Sequence, residues 1–469
     1  MQTRKDLLQA HRLMTQRASL ALISGEPDNP ELPLRRMNIA GFSGVMIAIL
    51  VCAACGIFGI IRPGGAKGLE KAGMLIVEKE TGARYVWCQD GKLCPVTNYV
   101  SARLVAGADA KSRRTVSTNS LSKYERGPMI GIPGAPNTLP DRKKLTRGPW
   151  SVCVRAVDGT STGRQSLVTL MAGRGVGGTR MRDDQAVVVQ ADGQNWLIWR
   201  NQRMLMSQSA LITLGATPVQ ISGKWLDSVT QGPNFAPPEI PDLGQPAAGP
   251  NGKAQVGRVF EVKTSSGGQT AYVLRKDGLA PLTPIQRDLM LADRGTWKAY
   301  GNQRPVPVQI DTSQVGQMGQ SAQQVRDQRL DGKAPSLATY KENSPLCAVY
   351  DDPTGNSDAK LTIGGTLPTP PPGPQPTGAD QLVFPPGSAS VAGRVPSPGK
   401  ADKVDTYYLV AEGKRFPIKN PETAGKLGYT LPGDAAKVPA GVLDLIAQGQ
   451  PLDPDKVSIN LPLTTQVGS

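Results

Sequence analysis

From Ile39 to Ile61 the chain reads IAGFSGVMIAILVCAACGIFGII, 23 positions without a charged residue. As a helix this run would measure about 34 Å, enough to cross a hydrocarbon core of about 30 Å. A secretory signal fits poorly, because 38 residues precede the run and a signal's apolar region holds only about 7–15 residues. A buried soluble helix fits poorly as well, since the run has no polar face. The pattern predicts one transmembrane helix over 39–61. Arg35 and Arg36 abut its short side, with Arg4, Lys5, Arg12 and Arg17 further out, while Arg62, Lys67 and Lys71 flank the far side. Basic residues favour the cytoplasmic side and long C-terminal domains translocate largely regardless of charge. The N-terminus is therefore expected inside and the bulk of the chain outside.

Ahead of the span, Lys5 to Ile23 suits a helix, with Leu7, Ala10, Met14, Ala18 and Ala21 along one stripe. Gly25 offers a stop, and Pro30 and Pro33 an extended lead into Arg35 and Arg36. A helix that lies on lipid usually shows aromatics and a strongly basic polar face. Residues 1–38 hold no aromatic, and six basic against four acidic groups. Docking to a protein partner through Leu7, Ala10, Met14 and Ala18 is the favoured expectation.

Beyond the span one pattern recurs: an aromatic-apolar strand, a turn, an apolar-Pro-apolar strand and a helix-like stretch. The copies are YVWCQDGKLCPVTN from Tyr85, YVLRKDGLAPLTP from Tyr272 and YYLVAEGKRFPIKN from Tyr407, with a degenerate WLIWRNQRMLMSQ from Trp196 that lacks the turn glycine. Glycine permits the positive φ of a tight turn, and the proline suits a strand edge. A second shared module, ISGKWLDSVTQGP from Ile221 and VPAGVLDLIAQGQP from Val438, matches Trp225, Leu226 and Val229 with Val442, Leu443 and Ile446. These spacings predict one buried helix face, stopped by Gly232 or Gly449.

Two strand-like stretches, about 150–192 and 346–394, carry no repeat and predict a central sheet that brings Cys153 near Cys347. PNFAPPEIPDLGQPAAGPNG from Pro233 reads as a linker, and PTPPPGPQP from Pro368 as a polyproline-like loop. The expected fold is α+β, an N-terminal transmembrane helix and an elongated outer domain of four small α+β units around a central β-sheet. Its divisions are 1–38 cytoplasmic, 39–61 transmembrane, 62–149 stalk and first repeat, and 150–192 central sheet. The second repeat comes next at 193–235, a linker at 236–255, the third repeat with a helical segment at 256–345, more central sheet at 346–394, and the fourth repeat and tail at 395–469.

Composition narrows the chemistry. The one histidine, His11, excludes a His-built triad or a multi-His metal site. The 53 Gly and 41 Pro with 5% aromatics exclude a coiled coil or helical bundle. Residues 62–469 carry 47 basic and 34 acidic groups, a net +13. Nucleic acid is a poor partner for an outer domain, so this charge points to anionic lipid heads, wall polymers or acidic protein surfaces. Cys88, Cys94, Cys153 and Cys347 all lie beyond the span, an even number suited to an oxidising compartment. Cys88 and Cys94 flank the turn signal Asp90-Gly91, where a hairpin would bring them together. Metal binding is the rival reading, but C-x5-C without histidine is a weak zinc signal. No cofactor is expected.

GRGVGGTR, from Gly173 to Arg180, satisfies G-x-G-x-x-G, yet a phosphate loop needs Lys then Ser or Thr next, and a helix after that. Here Thr179 and Arg180 stand in those places and MRDDQAVVVQ reads as turn and strand. DDPTGNSD, from Asp351 to Asp358, departs from calcium-loop spacing and lacks its closing glutamate. Both read as turns, and no catalytic residue is assigned.

Several blocks together resemble the EccB family, the single-span membrane component of the mycobacterial type VII (ESX) secretion complex. They are LLQAHRLMTQRASLAL from Leu7, RPGG from Arg62, TGARYVW with CPVTNYVSARLV between Thr81 and Val105, and RGPMIGIPGAPNTLP from Arg126. WSVC from Trp150 and LCAVY from Leu346 match the family's paired cysteines, which supports a Cys153–Cys347 bridge, and YVLRKDGLAPLTP is similar to a later repeat. The Cys88–Cys94 bridge rests on hairpin geometry alone. The resemblance implies a periplasmic domain of four repeats, themselves similar to a wall-binding subunit of a phage lysin. It implies a scaffold role in an inner-membrane complex with the motor ATPase EccC, EccD, EccE, the mycosin protease and further copies of itself. EccC and EccD are then the expected partners of the cytoplasmic helix. Peptidoglycan anchoring is the alternative, and ATP hydrolysis a weaker one, drawn from some family names.

Overall fold

A computed structural model of the chain describes residues 3–25, 33–61, 68–71, 73–88, 90–107, 113–159, 163–263, 268–369 and 378–457. They form two units, residues 1–69 with 116–123, and 70–115 with 124–469.

In the first unit, helix α1 spans Arg4–Ser24 and ends at Gly25, whose φ of 69° lets the amide reach back to Ala21 O. Helix α2 spans Pro33–Ile61. The extended lead expected through Pro33 is therefore corrected. Proline has no N–H to lose at a helix's first turn and its fixed φ suits that position, so it opens the helix. Arg35 and Arg36 lie in α2's first turn, while Pro30 and Arg62 fall outside the described residues. Met37–Phe58 is long and apolar enough to cross a membrane, and none of it is buried. Large apolar side chains stand exposed on every side, among them Ile39, Phe42, Ile47 and Leu50, as a lipid-facing helix requires.

The second unit contains four copies of one plan around a central sheet. Each copy is a three-stranded antiparallel meander and then a helix. In the second, third and fourth copies the chain returns as a strand parallel to the first (Val219–Gln220, Val308–Ile310, Ala436–Pro439). Equivalent positions are set by register. Cys94, Met204, Ala280 and Phe416 occupy one core position of the third strand, opposite Val86, Leu197, Val273 and Leu409 of the second. All eight are buried. Each helix begins at an equivalent polar cap: Asn98, Ser207, Thr283 and Asn420 accept from the backbone N–H three residues on, at 2.9, 3.1, 3.1 and 2.8 Å. The degenerate copy turns without glycine, because Arg200 and Asn201 both take positive φ, 49° and 58°.

Three expected boundaries are corrected. Each repeat has a first strand that the shared motif misses: Leu75–Glu78, Gln185–Ala191, Val259–Lys263 and Ser390–Val395. Gln185–Ala191 therefore belongs to the second repeat rather than the central sheet, and Ser390–Val395 to the fourth. Within the expected linker 236–255, Pro246–Gly249 pairs with Gly252–Gln255 as a hairpin around Pro250-Asn251, and its Ala247 and Ala254 pack on the third repeat's Phe260 and Ile310. The glycines Gly232 and Gly449 do not stop helices. The helices are the four-residue Gly223–Leu226 and Ala440–Leu443, each leading into a short strand parallel to the third strand of its repeat. A Cβ on Gly449 would enter the Phe416 ring, and one on Gly232 would stand 2.5 Å from Gln202 Oε1, so close approach is what demands glycine there.

The central sheet runs Gln381–Val383, Gly163–Ala172, Trp150–Gly159, Leu346–Tyr350, Lys360–Ile363, Thr179–Arg180. One face, with Val152, Val154, Leu170, Leu346 and Ala348, shares a core with the second and fourth repeats through Trp225, Leu226, Val442 and Leu443. The other face buries Cys153, Met171 and Cys347, the alternation of a period-two strand. The first repeat packs on the fourth (Val86 and Val100 with Leu409 and Leu427) and the third on the second (Ile285 and Leu289 with Trp199 and Phe235).

Candidate functional site

Cys153 and Cys347 are directly opposed in neighbouring antiparallel strands, Cα atoms 4.0 Å apart, and form a disulfide. Cys88 and Cys94 form a second one across the hairpin at Asp90-Gly91, Cα atoms 5.9 Å apart. Among the described residues, Cys88, Asp90 and Cys94 are also grouped as potential metal ligands. With the two sulfurs bonded to each other, the group offers a metal only one carboxylate. Cys52 and Cys55 lie in α2 as free thiols.

The glycine-rich segment from Gly173 serves backbone packing. Gly177 and Gly178 lie against Gly364 and Gly365; a Cβ on Gly178 would stand 2.7 Å from Gly364 O, and one on Gly365 would strike Val176 O. Thr366 N donates to Val176 O at 2.9 Å, and Thr179–Arg180 pairs with Thr362 and Ile363. The segment leads into the strand Thr179–Arg180.

The acidic turn is closed by its own first residues. Asp352 accepts from Thr354 Oγ1 at 2.6 Å and from the amides of Thr354, Asn356 and Ser357 at 2.8, 3.1 and 3.1 Å. The Thr354 hydroxyl, then its amide, hold the Asp352 carboxyl down to about 2. Asp351 pairs with Lys360, and Gly355 packs on Lys437 of the fourth repeat. The turn is thus a strap onto that repeat.

On α1 the stripe is open: Leu7 is 67% and Met14 72% exposed, and Ala10 and Ala18 are exposed as well. Sequence reasoning missed an arrangement repeated in the second and fourth copies. Arg203 reaches Asp227 at 2.9 Å and lies 5.5 Å over Trp196; Arg415 reaches Asp444 and lies 5.3 Å over Tyr408. Aligning both copies at their third strands would have exposed it, since Trp196 matches Tyr408 and Arg203 matches Arg415.

A family model described as "Type VII secretion system ESX-1, transport TM domain B" matches residues 1–462. The chain belongs to the EccB family. Among its relatives, the "ESX-1 secretion system ATPase EccB1" of Mycolicibacterium smegmatis is 28% identical over 97% of this chain and 95% of that protein. The "ESX-5 secretion system ATPase EccB5" of Mycobacterium tuberculosis is 27% identical over 94% and 90%. Of solved structures, a chain of "an intact ESX-5 inner membrane complex" aligns with TM-score 0.61 and 23% identity over 100% of this chain and 98% of that one. The "EccB3 dimer from the ESX-3 core complex" aligns with TM-score 0.61 and 21% identity over 82% and 99%. An EccB fold of four repeats around a sheet is thus shared well below the identity at which side chains are comparable.

Proposed function

We propose that this protein is a structural subunit of a type VII secretion complex, held in the inner membrane by α2, with α1 in the cytoplasm and the repeats in the periplasm. The carrying observation is the EccB family match along residues 1–462. Orientation is supported by Arg35 and Arg36 on the short side of the apolar run. The open stripe of Leu7, Ala10, Met14 and Ala18 is read as the docking face for a cytoplasmic partner, EccC or EccD. EccE, the mycosin protease and further copies of the chain complete the partner set, the last supported by the dimer solved for a relative.

Although relatives bear the name ATPase, the reading is structural rather than catalytic, since packing and pairing account for the phosphate-loop-like segment. The full-length protein in detergent is expected to hydrolyse no ATP above background; turnover that Arg180→Ala abolishes would overturn this. Deleting residues 2–25 should leave membrane insertion intact and lower recovery of EccC with the complex. Undiminished EccC recovery with normal secretion would return α1 to the membrane surface.

A further inference from the structure

Where the first repeat packs on the fourth, an open cleft of about 790 Å³ runs between helix Tyr99–Ala106 and the end of helix Pro421–Leu427. Arg103 lies at its base, only 9% exposed. Among the described residues its Nε is buried without an acceptor and its guanidinium makes no ion pair. Gly428 makes room for it, since a Cβ there would stand 3.2 Å from Nη2. A guanidinium N–H buried without a partner is costly in a folded protein. The adjacent helix C-terminus offsets some of that cost through its dipole, but supplies no acceptor to Nε.

The rim adds charge of the same sign. Lys143 and Lys144 are exposed beside the cleft, and Arg142 is held at its edge by Asp434, 2.8 Å away. Asp141 is the one acidic residue among the lining positions. Tyr429 closes the floor, its hydroxyl donating to Pro140 O at 2.9 Å, so the wall is built rather than collapsed. A planar guanidinium under a cationic rim suits an anion that accepts several hydrogen bonds and carries more than one negative charge.

We propose that this cleft is a binding site for a phosphate group, free or carried on a lipid headgroup, with Arg103 as its central ligand and Lys143 and Lys144 as its cationic rim. The test uses the full-length protein in detergent, titrated with inorganic phosphate against chloride at matched ionic strength, by calorimetry and by thermal unfolding. A saturable heat and a rising Tm are expected. Arg103→Met should weaken binding about tenfold or more, and Lys143→Gln with Lys144→Gln should weaken it severalfold without changing the phosphate-free Tm. The rim variant keeps the test decisive if Arg103→Met fails to fold. Displacement of phosphate by glycerophosphoglycerol identifies a headgroup source, and its failure to displace identifies free phosphate. Absence of saturation in the unaltered protein, an unchanged response in the rim variant, or succinate binding as tightly as phosphate would each overturn the assignment.

Discussion

In every repeat the segment after the main helix runs back parallel to the third strand, as a short strand in the second and fourth (Thr230–Gln231, Ala447–Gln448) and as a single bridge in the first and third (Leu93 with Arg126, Leu279 with Gln320). What distinguishes the second and fourth is where this piece packs. That piece sends Trp225, Leu226, Val442 and Leu443 into the core shared with the central sheet. Trp225 Nε1 donates to Val152 O at 2.9 Å, and the Tyr350 hydroxyl donates to Ser228 O. The pieces of the second and fourth repeats also meet each other, because Gly441 lies against the carbonyl of Asp227. Among the described residues the first repeat packs on the fourth and the third on the second, the first with a disulfide in its hairpin and the third with an extra hairpin. The same meander thus serves as a keystone or as an end unit, and the segment after its helix decides which.

The disulfides break this comparison most strongly. The Cys153–Cys347 bridge spans 194 residues and encloses both the second and third repeats, whereas Cys88–Cys94 spans 6 within the first. Loop closure puts the first at about 5 kcal/mol and the second at about 2 kcal/mol, both upper values. Cys347→Ser should lower the denaturation midpoint more than Cys88→Ser does, and equal losses would contradict the central role of the sheet. Trp225→Ala should cost about 3–5 kcal/mol, read by circular dichroism during denaturation.

Glycine substitutions sharpen the contrast. Gly441→Ala forces a methyl group against the Asp227 backbone and should cost about 1–3 kcal/mol. Gly316→Ala, in the third repeat's helix Thr312–Met318 with nothing within 4 Å of the new carbon, should stabilise by about 0.5–1 kcal/mol. The smallest effect concerns Asp444. Burial raises its carboxyl, but hydrogen bonds from Arg394 and Arg415 outweigh that and hold it below the usual range. A depressed folded value gives stability that is present above the unfolded carboxylate range and lost as pH falls through the folded value. Asp444→Asn should therefore cost under about 1 kcal/mol at neutral pH, given its partial exposure, and flatten the loss of stability below about pH 4. An unchanged acid limb would dismiss this ion pair as a stabilising contact.

Local pattern revealed what is local. An uncharged apolar run of this length suits a helix that leaves water, and Met37–Phe58 is such a helix. The recurring strand–turn–strand marked the hairpin of every repeat, with proline in three of the four, because turn chemistry and period-two alternation act between near neighbours. The first strands stayed hidden for the opposite reason: LIVE at Leu75 and VFEVK at Val259 share no motif, and only pairing makes them equivalent.

The chain alone thus determined the membrane helix, the hairpins and the family, each written in contiguous residues. Tertiary structure decided which repeats touch. The first meets the fourth and the second meets the third, an order absent from the chain because it depends on the fit of surfaces far apart in sequence. It also decided why Gly178, Gly441 and Gly449 are glycine, since the atoms they approach, on Gly364, Asp227 and Phe416, come from other elements. Arg103 shows the limit most clearly. In the sequence it is one of many basic residues on a basic domain; packing of one repeat on another buries its Nε with no partner among the described residues.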